Sequence, residues 1–332
     1  MQYDVFGLGN ALVDALVVLD EQDILTRHGL SRGTMHLVDD PAWQAVYGEV
    51  PTGEVVLAPG GSCANTVSTV ALLGGAATFC GLVGQDELGS TYGESLGDVL
   101  GRHYLVQRPG SPTGKCLSLV SSRDAERTML TDLGTSMALE PGEVPVKEVC
   151  AAEWFHVTGY LFTGGRMGDA AMDALAKAHA EGTKISFDLG DPFVIEHFGD
   201  AVHQVIDNYA SLVFMNEEEG KALLGGDAEE RLSELMTRVE TVVLKLGARG
   251  SLVRSGDRTV RIEAPQVDAV DTTGAGDSYA GGFLYGLSQG WDLQDCGKLA
   301  SAVAALTVSQ VGGVVRDPKE LAAVLQTVRP AL

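Results

Sequence analysis

The 332 residues hold 45 Asp and Glu against 23 Lys and Arg, a net charge of −22, and such a field repels nucleic-acid backbones and anionic membrane surfaces. Hydrophobic residues at 45% and charged residues at 20% belong to a chain that buries a substantial core, which excludes disorder, and the length suits one large α/β domain or two ordinary ones. No apolar run approaches the ~18 residues of a membrane helix, residues 1–10 carry no basic leader, and five scattered cysteines without a C-x-x-C pair argue against disulfides and structural zinc, so a reduced cytoplasm is expected.

In chain order, Tyr3–Asn10 reads as a short strand entering a glycine turn and Ala11–Asp20 as a second apolar run. A dinucleotide fingerprint fails there, because Leu12 occupies the third glycine position of G-x-G-x-x-G and Val13–Leu19 reads as strand. The carboxylate of Asp14, set among Ala, Leu and Val, requires a hydrogen-bonding partner, which makes it a candidate ligand group. Gly33–Asp39 reads as a strand and Pro41–Tyr47 as a helix capped by Asp40. Pro59-Gly60-Gly61-Ser62-Cys63-Ala64-Asn65-Thr66 then precedes a small-residue helix over Val67–Leu73, which Gly74-Gly75 end. The paired glycines let a small substrate approach the backbone, and Asn65 both donates to and accepts from a sugar diol. Cys63, with no identified His partner, reads as a packed apolar residue.

Thr78–Gly84 is a further strand, and Thr113–Ser121 with Arg127–Asp132 flank Ser122-Arg123-Asp124-Ala125-Glu126 in the pattern of a hairpin. Short apolar runs at Trp154–Val157, Lys184–Asp188, Leu212–Met215 and Thr241–Lys245 alternate with helical patterns such as Met167–Glu181 and Ala228–Val239. This alternation predicts a mostly parallel sheet covered on both faces, with function at strand C-terminal ends that Asn65, Asn216 and Asp277 are expected to follow. Asn216-Glu217-Glu218-Glu219 opens a helix, where acids suit the dipole in any protein and where oxygen donors suit Mg²⁺ held through water. Asp188 is a further candidate for metal or substrate. No Walker A motif exists, since Gly114-Lys115-Cys116 lacks the leading glycine and the Ser or Thr.

Asp271-Thr272-Thr273-Gly274-Ala275-Gly276-Asp277 runs straight into the apolar-periodic segment Ser278–Leu287. A glycine-rich turn opening a helix aims several N–H groups at one spot where the dipole is positive, and that spot binds anions. A carboxylate beside it opposes a bound phosphate unless its task is to take a proton from an attacking hydroxyl, so Asp277 points to phosphoryl transfer. Leu299–Val308 follows as another small-residue helix, ended by Gly312-Gly313.

This stretch resembles the C-terminal signature of the ribokinase-like (PfkB) family of sugar and nucleoside kinases, and the match is complete. The family resemblance extends to Gly9-Asn10 with Asp14, to G-G-x-x-x-N at Gly60, Gly61 and Asn65, to G-x-D-x-x-G at Gly84–Gly89, to N-x-x-E at Asn216 and Glu219, and to the strand and glycine turn Val242–Gly250. It implies one α/β domain over residues 1–332, a three-layer α/β/α fold with a mostly parallel central sheet and a small β-sheet lid inserted from about 15–39 and 111–133. The lid would exclude water from the acceptor site. By the same resemblance Asp277 is the catalytic base and Gly274, Ala275 and Gly276 hold the transferring phosphate. Asn10, Asp14 and Asn65 hold acceptor hydroxyls. ATP is the donor, contacted by Asn216, Lys245, Gly247, Gly250, Thr272, Thr273 and, from the lid, Arg127. Glu219 serves Mg²⁺ through water, and Asp271 with Thr273 and backbone near Ser309–Gly312 form a K⁺ site.

The form G-G-S-x-x-N, with Ser62, looks most like the adenosine kinase branch. Leu12, Tyr160, Leu161 and Phe193 stand where that branch carries apolar residues facing a nucleoside base. A purine requires flat apolar walls, whereas a sugar phosphate requires clustered Lys or Arg, which the acceptor-side motifs lack. The expected acceptor is therefore a nucleoside, adenosine first, with a ribose- or fructose-type sugar as the alternative. A non-catalytic nucleoside sensor is the reading from another class. The expected assembly is a monomer or homodimer.

Overall fold

The computed structural model describes residues 2–124 and 126–329; Met1, Ala125 at the tip of the expected hairpin, and residues 330–332 at the end of the expected domain lie outside the described residues. The strands are β1 (Val5–Leu8), β2 (Leu12–Leu19), β3 (Met35–Leu37), β4 (Val56–Gly60), β5 (Ala77–Gly84), β6 (Tyr104–Arg108), β7 (Gly114–Ser121), β8 (Arg127–Asp132), β9 (Trp154–Thr158), β10 (Lys184–Asp188), β11 (Leu212–Asn216), β12 (Thr241–Lys245), β13 (Ser251–Ser255) and β14 (Arg258–Ile262). Nine of them form the central sheet in the order β14-β13-β12-β11-β10-β9-β1-β5-β6. From β6 to β12 every neighbour pair is parallel, and β13 and β14 add an antiparallel edge.

Strand alternation supplies both layers of core. Phe155 and Val157 of β9 face one side with Phe187 and Met215, against helices Met167–Ala180 and Pro192–Asn208, while Trp154, Phe214 and Val243 face the other. On that second side lie helices Ser62–Leu72, Ala275–Ser288 and Leu293–Val308. Strands buried on both faces are what a parallel sheet under two helical layers requires.

The smaller sheet has the order β3-β8-β7-β2-β4. One face carries a core of its own, where Ala15, Val17, Leu117, Leu119 and Leu130 meet Ile24, Leu25, Trp43 and Val46 from helices Gln22–His28 and Asp40–Tyr47. The period of two leaves Leu12, Asp14, Cys116, Arg127, Met129 and Thr131 on the opposite face, over the end of the central sheet. This lid draws on more chain than 15–39 and 111–133, since it begins at Leu12 and includes β4. Pro59 masks that strand in the sequence and is tolerated because β4 is an edge.

Several boundaries differ from expectation. The second motif does not precede its helix: the helix begins at Ser62, so Ser62 and Asn65 lie in its first turn. Asp39, not Asp40, caps the helix Asp40–Tyr47, accepting from the Ala42 N–H. Of the three residues expected to follow parallel strands, only Asn216 does so, as the last residue of β11. Asn65 follows lid strand β4, and Asp277 follows the segment 263–274 after the antiparallel edge strand β14. A hairpin of short, charged strands at Ser251–Ile262, carrying three arginines, has too little apolar periodicity to be read beforehand.

Candidate active site

A cavity of about 710 Å³ lies between the lid and the C-terminal ends of β9–β12. Asp277 stands at its waist, in the first turn of helix Ala275–Ser288. The backbone reaches that helix through Gly274 at φ +68°, and a methyl group on Gly274 would sit 2.1 Å from the Gly313 carbonyl oxygen. Only glycine meets both conditions. The turn before it is braced by Asp271, fully buried, whose Oδ1 accepts from the Thr273 N–H at 2.9 Å and the Thr273 hydroxyl at 2.6 Å, and whose Oδ2 accepts from the Gly312 N–H at 3.0 Å.

Two residues of the neighbouring helix hold the Asp277 carboxylate: the Ser62 hydroxyl donates to Oδ1 at 2.6 Å and the Asn65 amide to Oδ2 at 2.9 Å. Burial raises the Asp277 pKa, the Ser62 and Asn65 hydrogen bonds pull it back, and Asp188 pushes it up again while Lys245 lowers it. The outcome is a carboxyl group more basic than an exposed Asp, as a proton acceptor should be.

On the lid side, Asp14 is pushed up to about 7, by burial first, against the lowering influence of Arg127. Gly60 does not line the cavity; it makes room for Asp14, because a methyl there would lie 2.1 Å from a carboxylate oxygen. Asn10 donates to the Tyr160 carbonyl at 3.2 Å, which leaves its buried Oδ1 without a partner. Tyr160 lines the cavity with its hydroxyl tied to the Gly190 carbonyl at 2.8 Å. Leu12, Met35, Leu37, Cys116, Met129 and Leu133 supply apolar wall. Leu161 and Phe193 do not. Leu161 is 1% exposed within the core beneath the sheet, one residue out of phase with Tyr160 on a tight helical turn, and Phe193 packs 4.3 Å from the His197 ring at the start of its own helix.

Between these ends, Asp188 and Lys245 pair at 2.8 Å. Asn216 and Glu219 form a reciprocal capping box: Glu219 accepts from the Asn216 N–H at 2.8 Å and side-chain amide at 2.6 Å, and Asn216 accepts from the Glu219 N–H at 2.9 Å. Burial lifts Glu219 to about 7 despite Lys245. Both Glu219 oxygens are therefore engaged, which fits contact with a hydrated divalent cation rather than direct ligation. Asp271 fits a monovalent cation differently. It is a fully buried carboxylate with no Lys, Arg or His within 4 Å among the described residues, and its Oδ2 retains acceptor capacity.

The far end is lined by Gly247, Ala248 and Gly250, by Thr272, and by the segment Ala264, Pro265, Gln266 and Val267 with Ala304, Ala305 and Val308. Sequence reading missed the 264–267 segment, Ala264-Pro265-Gln266-Val267 between Glu263 and Asp268, which has neither motif nor period and offered no signal beyond Pro265 itself. The cysteines among the described residues are free, and burial raises the Cys63 thiol well above its ordinary range, as befits a packing residue. No helix of the described residues is long and apolar enough to cross a membrane.

Residues 35–320 match the profile of the pfkB family carbohydrate kinases. The chain is 31% identical to the adenosine kinase of Dictyostelium discoideum, over 94% of this chain and 96% of that protein. It is 28% identical to an uncharacterized sugar kinase of Archaeoglobus fulgidus, over 72% of this chain and 94% of that protein. Among solved structures, the adenosine kinase from Sinorhizobium meliloti superimposes with a TM-score of 0.92 at 32% identity, covering 98% of this chain and all of that one. With the ribokinase-like three-layer fold, the lid and the Gly274–Asp277 turn, these similarities establish that the chain belongs to the pfkB carbohydrate kinase family, in its adenosine kinase-like branch, and is a kinase.

Proposed function

We propose that the protein transfers the γ-phosphoryl group of ATP to the primary 5′-type hydroxyl of a nucleoside, adenosine first among them. The observation that carries this reading is the position of Asp277, whose carboxylate stands between an apolar-walled lid pocket and the N-terminus of helix Ala275–Ser288. An acceptor hydroxyl entering from the lid side meets the base and the anion-binding turn together. Asp14, Asn10 and Asn65 hold the ribose diol, with the free Asn10 Oδ1 as an acceptor for one hydroxyl, and Leu12, Met35, Met129 and Leu133 give the base its flat apolar surroundings.

Asp277 takes the hydroxyl proton as the oxygen attacks, and the backbone N–H groups of Gly274 to Gly276 stabilise charge on the transferring phosphoryl group. Arg127, from the lid, adds a cation over the same region. Gly247, Ala248, Gly250 and Pro265 flank the adenine and ribose of ATP. Mg²⁺, when bound, neutralises β- and γ-phosphate oxygens, and Asn216, Glu219 and Asp188 are the residues that would hold its waters. Asp271 would hold K⁺ behind the anion-binding turn, and turnover that is unchanged when K⁺ is replaced by tetramethylammonium removes that assignment.

A sugar acceptor is the second reading, supported by Arg127 and Thr131 on the cavity face of the lid, which offer polar contacts that a purine does not need. ADP release with adenosine, inosine, ribose and fructose separates the two. Adenosine should lead in kcat/KM, and a tenfold preference for a sugar, worth about 1.4 kcal/mol of transition-state binding, would overturn the nucleoside assignment.

A further inference from the structure

We propose that Lys245 is a catalytic residue that places its ammonium on the transferring phosphoryl group, and that Asp188 is the positioning residue that holds this ammonium beside the anion-binding turn. The inference deepens the phosphoryl-transfer reading given above and rests on it. Lys245 and Asp188 end the parallel strands β12 and β10, so both side chains emerge at the C-terminal edge of the central sheet. The ammonium donates to Asp188 Oδ2 at 2.8 Å, with the side chains only 15% and 5% exposed. That is one of the three N–H donors of an ammonium, and no other acceptor takes the remaining two among the described residues.

The ammonium is also in contact range of the turn itself. A methyl group built on Gly276 would lie 3.1 Å from Lys245 Nζ. Nζ is therefore no more than about 5.6 Å from the Gly276 nitrogen, within the span that two donors bridge when each binds one oxygen at ~2.9 Å. A side chain at position 276 would fill this gap, so glycine there serves the lysine as well as the turn.

Charge makes the contact necessary. Asp188, Glu219 and Asp277 all line the middle of the cavity, and the cations lining it are Lys245 and, on the lid, Arg127. A phosphoryl group entering among three carboxylates needs a fixed positive charge, and Lys245 is the one built into the sheet rather than the lid.

In the reaction the bond from the acceptor oxygen to phosphorus forms as the bond from phosphorus to the β-phosphate bridging oxygen breaks. The hydroxyl proton goes to Asp277 and ADP leaves. Lys245 stays protonated throughout, offsetting charge on the phosphoryl oxygens and exchanging no proton.

The test compares Lys245→Met, Lys245→Arg, Asp188→Asn and the double variant Lys245→Met with Asp188→Asn, each checked for folding by thermal melting. Measurements are kcat and KM with the preferred acceptor, calorimetric affinities for ADP and acceptor separately, and affinity for ADP with aluminium fluoride, which mimics the planar phosphoryl group. Lys245→Met should lower kcat by about 100- to 1000-fold and weaken the fluoride complex by a similar factor, with ADP and acceptor affinities within threefold. Lys245→Arg should recover part of the loss, and Asp188→Asn should lose about tenfold. The double variant removes the carboxylate that Lys245→Met would leave without its ion-pair partner, so it remains testable if Lys245→Met does not fold, and it should stay as slow as Lys245→Met. Return of the double variant to wild-type kcat would mean that Lys245 merely neutralises Asp188, and would overturn the proposal; so would a kcat for Lys245→Met within threefold of wild type, or equal losses of ADP and fluoride-complex affinity. If no nucleoside or sugar supports turnover, the acceptor assignment fails, while the fluoride complex still reads Lys245.

Discussion

The Ser62 hydroxyl donates a 2.6 Å hydrogen bond to Asp277 Oδ1 across two helices that start 213 positions apart in a chain whose two glycine motifs otherwise look independent. Each motif opens a helix on the same face of the central sheet, and the two helix starts meet at this contact. Because the bond stabilises the charged form of Asp277, Ser62→Ala should raise its pKa. The acid limb of the kcat/KM profile is then expected to move to higher pH. A limb that stays in place or moves to lower pH would separate Asp277 from the observed titration.

Removal of the proposed base, Asp277, has a larger consequence. Asp277→Asn keeps the shape and one accepting oxygen for Asn65, while its amide nitrogen donates to the Ser62 hydroxyl, which can turn to accept; it cannot take a proton, so kcat should fall by about 10²–10⁴-fold. Acceptor affinity by calorimetry and the melting temperature should change little. Near-wild-type turnover in a folded variant would show that another group takes the proton.

Asp14 couples function to stability. Burial lifts it from its ordinary 3.8 to about 7, and Glu219 from 4.5 to about 7. A carboxyl raised on folding stabilises the native state below its ordinary pKa, and that contribution is lost as pH rises toward the folded-state value. The contribution of these two groups to wild-type stability should therefore decline between about pH 4 and pH 7 and level above it. Asp14→Asn removes one of these titrations: the variant should lose less stability than wild type between about pH 4 and pH 7, and at pH 8 it should melt roughly 2–4 °C higher, while acceptor KM rises at least tenfold as the diol loses its carboxylate. Melting curves at several pH values decide the first point, and an unchanged KM would detach Asp14 from the acceptor.

Gly274 tests the turn. Its φ of +68° and the 2.1 Å approach of the Gly313 carbonyl leave no place for a methyl group, so Gly274→Ala should cost about 2–4 kcal/mol in urea unfolding. Activity should fall with it, since the N–H groups proposed to hold the phosphoryl group move with the turn. Wild-type stability would mean that the backbone relaxes there freely.

Much of this site was legible because its chemistry is local. Asp271 to Asp277 announces a glycine-opened helix start through residues adjacent in sequence, and Asn216 with Glu219 reads directly as a helix opening, since capping depends on spacing alone. The alternation of apolar runs with helical periods likewise determined a mostly parallel sheet under two helical layers, because burial on both faces imposes continuous apolar strands. What the chain could not disclose by itself depends on long-range pairing. Whether Tyr160 or its neighbour Leu161 faces the cavity is a matter of phase on one tight turn, and only the packing of Leu161 into the core decides it. Strand β4 and the hairpin β13–β14 are held by partners distant in sequence, without a strong period of their own. The juxtaposition of Lys245 with Gly276 and Asp188, and of Ser62 and Asn65 with Asp277, arises only when separate strand ends and helix starts converge at one edge of the sheet, because hydrogen bonds and charges act over a few ångströms of space whatever the distance along the chain.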